Sequence, residues 1–136
     1  MTALRVLPLL AVSLASACSV AALSRGDPAG GGLSTGERAY QKCYACHALT
    51  EGDDGADGPH LAGIVGRPVA GLDGYDYSFA LERYAASNPR WTRERLDAFL
   101  ADPQREVPDN AMGFFGIADP AERAALIDYL VRESKR

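Results

Sequence analysis

The sequence predicts a small all-α domain of three to five helices, and three observations carry that expectation. Helix-start signals recur at Ser34-Thr35-Gly36-Glu37, near Trp91-Thr92 and at Asp119-Pro120-Ala121-Glu122. No stretch alternates apolar and polar residues over strand length, and no internal repeat is visible. The segment Cys43-Tyr44-Ala45-Cys46-His47 sets two thiols three positions apart with an imidazole directly after the second. The helices are therefore expected to enclose something those three side chains hold.

Ser34 as N-cap with Glu37 three residues on forms a capping box, so a helix is expected from about Thr35 into the cysteine motif. On a helical turn, residues three apart share a face. Both sulfurs then reach the two vinyl groups at one porphyrin edge, and His47 swings under the iron. This is the spacing on which haem is attached covalently. Zinc normally needs four protein ligands, and no second Cys/His pair follows at finger-like spacing. A disulfide redox motif belongs after a strand in a βαβ unit, which the pattern does not offer. One motif implies one haem.

Further along, the acidic, glycine-rich loop from Thr50 to Gly58 (Glu51, Asp53, Asp54, Asp57) is expected to be solvated. A glycine-punctuated, irregular segment should run through Gly74. Tyr77 to Ala86 predicts a short helix, broken by Asn88-Pro89. The next helix starts near Trp91 or Thr92 with Leu96, Phe99 and Leu100 on one apolar face, and Asp102-Pro103 ends it. Gln104–Ala111 reads as a polar loop leading to Met112-Gly113-Phe114-Phe115. Asp119 as N-cap, Pro120 at the first helical position and Glu122 in the first turn open the last helix, whose buried stripe is expected at Leu126, Tyr129 and Leu130.

With 136 residues the chain has room for one domain. Residues 1–23 carry one charge, Arg5, before the uncharged run Val6–Leu23, and with Ala15-Ser16-Ala17 they describe a secretory signal. Cys18, the cysteine outside the motif, stands where a bacterial lipoprotein carries its lipid. Three fates are open: lipid anchoring at Cys18, cleavage to a soluble protein, and retention as a membrane helix, for which Pro8 and several serines make a poor span. Each places the folded part in the periplasm. Residues 24–33, with Gly30-Gly31-Gly32, form a flexible linker of more use to an anchored protein than to a free one, so the haem domain, residues 34–136, is expected in the periplasm tethered to a membrane. Removing the export segment leaves roughly a hundred residues, a marginal size for a side-chain core that a large apolar cofactor would fill. The 14 Lys+Arg against 18 Asp+Glu give net charge −4, and no basic cluster suggests nucleic acid.

His47 leaves the far side of the iron to be filled by His60, Met112, a lysine or nothing. His60, after Pro59, belongs to the loop beneath His47 and is expected to be an exposed or hydrogen-bonded loop histidine. Met1 belongs to the export segment, so Met112 is the internal thioether, placed after Pro108 with Phe114-Phe115 behind it. Met112 is therefore the expected ligand. His/Met ligation closes the iron to small molecules and raises its potential.

These residues resemble class I cytochrome c from about Gly36 to Leu130. The resemblance is carried by Gly36-x-x-x-Tyr40-x-x-Cys43-x-x-Cys46-His47, Gly58-Pro59-x-Leu61 and Gly63-x-x-Gly66-Arg67. It continues with Tyr75-x-Tyr77-Ser78, Trp91, Leu96, Leu100, Pro103, Pro108, Met112-x-Phe114-x-Gly116-Ile117 and Leu126-x-x-Tyr129-Leu130. It implies the small class I fold and carries several roles. The Pro59 carbonyl would accept the His47 Nδ1–H. Gly36 and Tyr40 would pack closely on Leu126 and Tyr129. Tyr77 and Trp91 would donate to a haem propionate, with Arg67 as the nearby cation. The chain departs from the family at Phe99, where many relatives have a tyrosine. Pro108-Asp109-Asn110-Ala111-Met112 replaces Pro-Gly-Thr-Lys-Met, so Asp109 must take a glycine's backbone angles. No lysine stands at 111 to displace the methionine at alkaline pH. The family's lysine ring is missing too, because Lys42 and Lys135 are the only lysines.

The function expected is a monomeric one-electron carrier, not an enzyme, between respiratory or photosynthetic membrane complexes or a periplasmic dehydrogenase. The alternatives are a subunit fixed in an oxidase or dehydrogenase, and an open-site haem enzyme or gas sensor, which requires that Met112 not bind.

Overall fold

The structure is a computed structural model that describes residues 32–52 and 57–134. The export segment, Cys18, most of the linker, Asp53, Asp54 and Lys135 lie outside the described residues. Five helices follow in order: α1 Thr35–Tyr40, α2 Phe79–Ser87, α3 Arg93–Ala101, α4 Pro103–Glu106 and α5 Pro120–Glu133. Among the described residues the only extended pairing is one antiparallel bridge, Pro68 with Arg90, and no helix is long and apolar enough to cross a membrane.

Each helix begins where a side-chain oxygen takes an orphan amide. Ser34, Ser78, Thr92, Asp102 and Asp119 are the N-caps, accepting from Glu37, Leu81, Arg95, Arg105 and Ala121 N–H. Asn88 closes α2 ahead of Pro89. Three expectations need correction. Helix α1 stops at Tyr40, and the cysteine motif continues as hydrogen-bonded turns, Tyr44 N–H on Tyr40 O and His47 N–H on Cys43 O. The polar stretch after Asp102 is not all loop, because Asp102 both ends α3 and caps α4, with Pro103 in the first turn. The buried stripe of α5 is Leu126, Ile127 and Leu130, with Tyr129 only partly buried.

Helices α1 and α5 make the most extensive helix–helix contact, and Gly36 permits it. A Cβ there would lie 2.7 Å from Tyr129 Cβ and closer still to Ala125 O. With that approach Tyr40 and Tyr129 stack at 5.6 Å between ring centroids. Helix α3 packs on α5 from the other side, and Leu96, Phe99, Leu100, Leu126 and Leu130 form a continuous buried cluster. At the Pro68–Arg90 bridge, Gly66 N–H donates to Trp91 O (2.7 Å) and Trp91 N–H to Arg67 O (2.9 Å). That pairing brings Arg67 and Trp91 together although 24 positions separate them.

Candidate haem site

The turns after α1 leave Cys43 half-buried and Cys46 exposed, both unbridged. Tyr40 Oη donates to His47 O at 2.6 Å, tying the end of the motif back to α1. His47 Nδ1 lies 2.7 Å from Pro59 O. A carbonyl oxygen only accepts, so Nδ1 is the donor, and in the neutral ring the lone pair is then on Nε2. Gly58 makes this arrangement possible: a Cβ on it would lie 2.6 Å from Nδ1 and 2.8 Å from Cys46 O. Its N–H donates to Cys46 O at 2.8 Å, and Leu61 N–H to Ala48 O at 2.7 Å, closing the loop under the imidazole.

A cavity of about 410 Å³ opens beside the motif. All eight site residues expected from the sequence line it: Cys43, Cys46, His47, Pro59, Arg67, Tyr77, Trp91 and Met112. Between them the lining is mainly apolar, with Ile64, Leu81, Leu96, Phe99, Leu100 and Leu126 among its residues. Met112 comes from the segment between α4 and α5, far in sequence from the cysteines, and is half-buried against the core cluster. Asp109, three positions before it, takes φ 64°, the left-handed angle expected of it.

Polar side chains also line the cavity. Trp91 is buried, its ring 5.2 Å from Phe99 and 6.2 Å from Tyr84. Arg67 is only 7% exposed, and its Nη1 donates to the carbonyls of His60 and Ala62. Burial raises the Tyr77 hydroxyl above its ordinary pKa, opposed by the charge of Arg67, so Tyr77 remains a donor at neutral pH. Tyr75 packs edge-on against Tyr77 at 4.7 Å and donates to Asp57 O. Lys42 also borders the cavity, ion-paired with Glu122 at 2.5 Å.

His60 corrects its expectation as an exposed or hydrogen-bonded loop histidine. It is 8% exposed, its Nδ1 has no hydrogen-bond partner, and it is not among the residues lining the cavity. Arg67 draws the 60–62 backbone inward by bonding its carbonyls, and the His60 side chain goes in with it. Sequence reasoning also passed over Asn110 as a site residue. It is 9% exposed, lines the cavity and accepts the Met112 N–H at 2.9 Å. An asparagine in a polar stretch reads as a turn former, and nothing local marks it as buried.

The competing readings of the cysteines fit poorly. Burial pushes the Cys43 thiol up to about 11, with a smaller lowering effect from Lys42 and a smaller raising one from Cys46. A redox-active cysteine needs the opposite shift. Among the described residues, no three His, Cys, Asp or Glu side chains gather as a metal-ion site. A mainly apolar cavity with two thiols, one oriented imidazole and a thioether on its walls does fit a haem.

Comparison with known proteins agrees. The family description "Cytochrome c" matches residues 33–133. The chain is 40% identical over 101 residues to a protein named cytochrome c2 from Agrobacterium tumefaciens, covering 74% of this chain and 91% of that one. It is 42% identical over 107 residues to cytochrome c-type cyt cy of Rhodobacter capsulatus, covering 76% of this chain and 51% of that one. The solved cytochrome cH from Methylobacterium extorquens superposes with TM-score 0.64 at 39% identity, covering 72% of this chain and 95% of its own. The match spans α1 to α5, and the thiol pair stands within it at the cavity wall. The chain therefore belongs to the class I cytochrome c family, whose members carry one covalently attached haem c.

Proposed function

We propose that the protein carries single electrons between redox partners, with Cys43 and Cys46 as the residues that would bond a haem and His47 and Met112 as those that would hold its iron. The observation that carries this reading is the convergence of all four side chains on one cavity wall system. Bound there, the haem supplies one-electron ferrous/ferric chemistry.

The chain's own residues do the rest. Pro59 O holds the Nδ1 proton, which orients the His47 ring and strengthens Nε2 as a donor. Met112 presents a soft thioether, the ligand that favours the reduced state. Phe99, Leu96, Leu100 and Leu126 keep water out, which limits the reorganisation that accompanies a change of charge. Tyr77 and Trp91 are neutral donors, and Arg67 a cation, for the propionates. Phe99 lines the cavity without a hydroxyl to offer.

Export by residues 1–23 puts this domain in the periplasm, with membrane complexes or a periplasmic dehydrogenase as donor and acceptor and a monomer as the working unit. The mass of the mature N-terminus separates lipid on Cys18 from simple cleavage.

The test of ligation is the sulfur-to-iron charge-transfer band of the ferric protein. It is expected in the wild type and absent in Met112→Ala, which also turns high-spin. The midpoint potential should fall in that variant, within the roughly 0.8 V that axial ligands command. A wild type that lacks the band and is high-spin would instead favour an open-site enzyme. Because Ala111 replaces a lysine, the alkaline form should carry no lysine amine, which magnetic resonance of the high-pH form checks.

A further inference from the structure

We propose that Asn110 is a positioning residue that keeps the Met112 thioether on the iron, an inference that rests on the ligation proposed above. The segment from Val107 to Asp119 contains no helix, and Met112 has three rotatable side-chain bonds. A weak thioether ligand on such a segment is retained only if the backbone beneath it is fixed. Asn110 fixes it. Its Nδ2 donates to Pro103 O at 2.9 Å and Val107 O at 2.8 Å, the first and last carbonyls around α4. Its Oδ1 accepts from Met112 N–H at 2.9 Å. Its own N–H donates to Val107 O at 3.2 Å, and its carbonyl accepts from Gln104 Nε2 at 3.2 Å.

The amide orientation is not arbitrary. Two carbonyls require the NH₂ end, and a backbone N–H requires the oxygen. The side chain therefore bridges α4 to the residue that carries the thioether, across the left-handed turn at Asp109. The other end of the segment is held separately. Ile117 N–H donates to Leu100 O at 2.8 Å, and Arg123 Nη1 donates to the carbonyls of Ile117 and Ala118. Loosening Asn110 frees the Met112 end while the fold beyond Ile117 stays anchored.

The experiment is competition by exogenous imidazole for the ferric iron of the mature protein, which succeeds only when Met112 leaves. Asn110→Ala should bind imidazole about tenfold more tightly than wild type, the effect of losing hydrogen bonds to a buried amide. Asn110→Asp keeps the acceptor for Met112 N–H but sets a carboxylate against two carbonyls, and should shift in the same direction. If Asn110→Ala does not mature, Asn110→Asp and the exchange rate of the Met112 amide, expected to quicken at least tenfold, carry the test. Wild-type imidazole affinity and wild-type amide exchange in the variants would overturn the proposal. Met112→Ala separates the two layers. If it binds imidazole no more tightly than wild type, the ligation reading fails and this one falls with it. If it binds far more tightly while the Asn110 variants match wild type, only the Asn110 proposal fails.

Discussion

Asp109 adopts φ 64° with a side chain in place, and that angle disfavours every residue but glycine, with Asp and Asn the least penalised. Asp109→Gly should therefore leave denaturant stability within about 1 kcal/mol of wild type, whereas β-branched Asp109→Val should cost about 1–3 kcal/mol. Guanidinium unfolding of the mature protein measures both. Tyr84 gives a pH-dependent prediction. Burial, then the hydrogen bond to Glu106 at 2.8 Å and that carboxylate's charge, push its hydroxyl up to about 12 from an ordinary 10. The folded state holds the proton more tightly, so this contribution is complete below pH 10 and is lost as pH rises to about 12. Tyr84→Phe should lose stability less steeply over that window, and should cost about 1 kcal/mol at neutral pH, as unfolding midpoints taken at stepped pH would show. At this scale the grouping of Cys43, Cys46 and His47 on one cavity was legible, because the three stand within five positions of one another. The burial of His60 and the bridging role of Asn110 were not, because the first follows from Arg67 bonding the His60 backbone carbonyl and the second from main-chain groups around α4 and Met112, which no residue identity announces.

The helices were legible where a cap and a period coincide. Ser34, Thr92 and Asp119 each stand directly before the helix they start, whereas α2 begins at Phe79 behind its Ser78 cap and not at Tyr77. Element ends were less so. Helix α1 closes at Tyr40 because the next residues turn to set the two thiols and His47, a tertiary demand that overrides a helical pattern. Helix α4 is four residues long and leaves almost no periodic trace. The crossing of α1 and α5 depends on Gly36, where any side chain meets Ala125 O and Tyr129. Gly36→Val should cost about 1–3 kcal/mol or more by overpacking, lowering the thermal midpoint of the mature protein while leaving its ligand bands in place. A variant as stable as wild type would mean that the two helices can part without loss.

For the whole molecule, the cavity is the dominant fact. Without a haem, the apolar walls of this cavity of about 410 Å³ would face water instead of a packing partner, in a domain whose roughly hundred residues bury only a marginal core. A chain produced without haem attachment, or as Cys43→Ala with Cys46→Ala, should therefore lack cooperative unfolding, which circular dichroism during heating checks. The size of the chain already pointed to a core completed from outside. The shape of the cavity could not be read from it, since the walls come from α2, α3, α5 and three loops. The central claim, an iron held between His47 and Met112, is tested most directly by isotopic labelling of methionine methyl groups. Of the two methionines, Met1 belongs to the export segment, so the Met112 methyl is assigned as the signal that Met112→Ala removes. In the ferrous protein, the Met112 methyl should be displaced far upfield by the ring current of the porphyrin above which it sits, and in the ferric protein it should be displaced by the unpaired electron. A Met112 methyl at its ordinary position in both oxidation states would contradict the account.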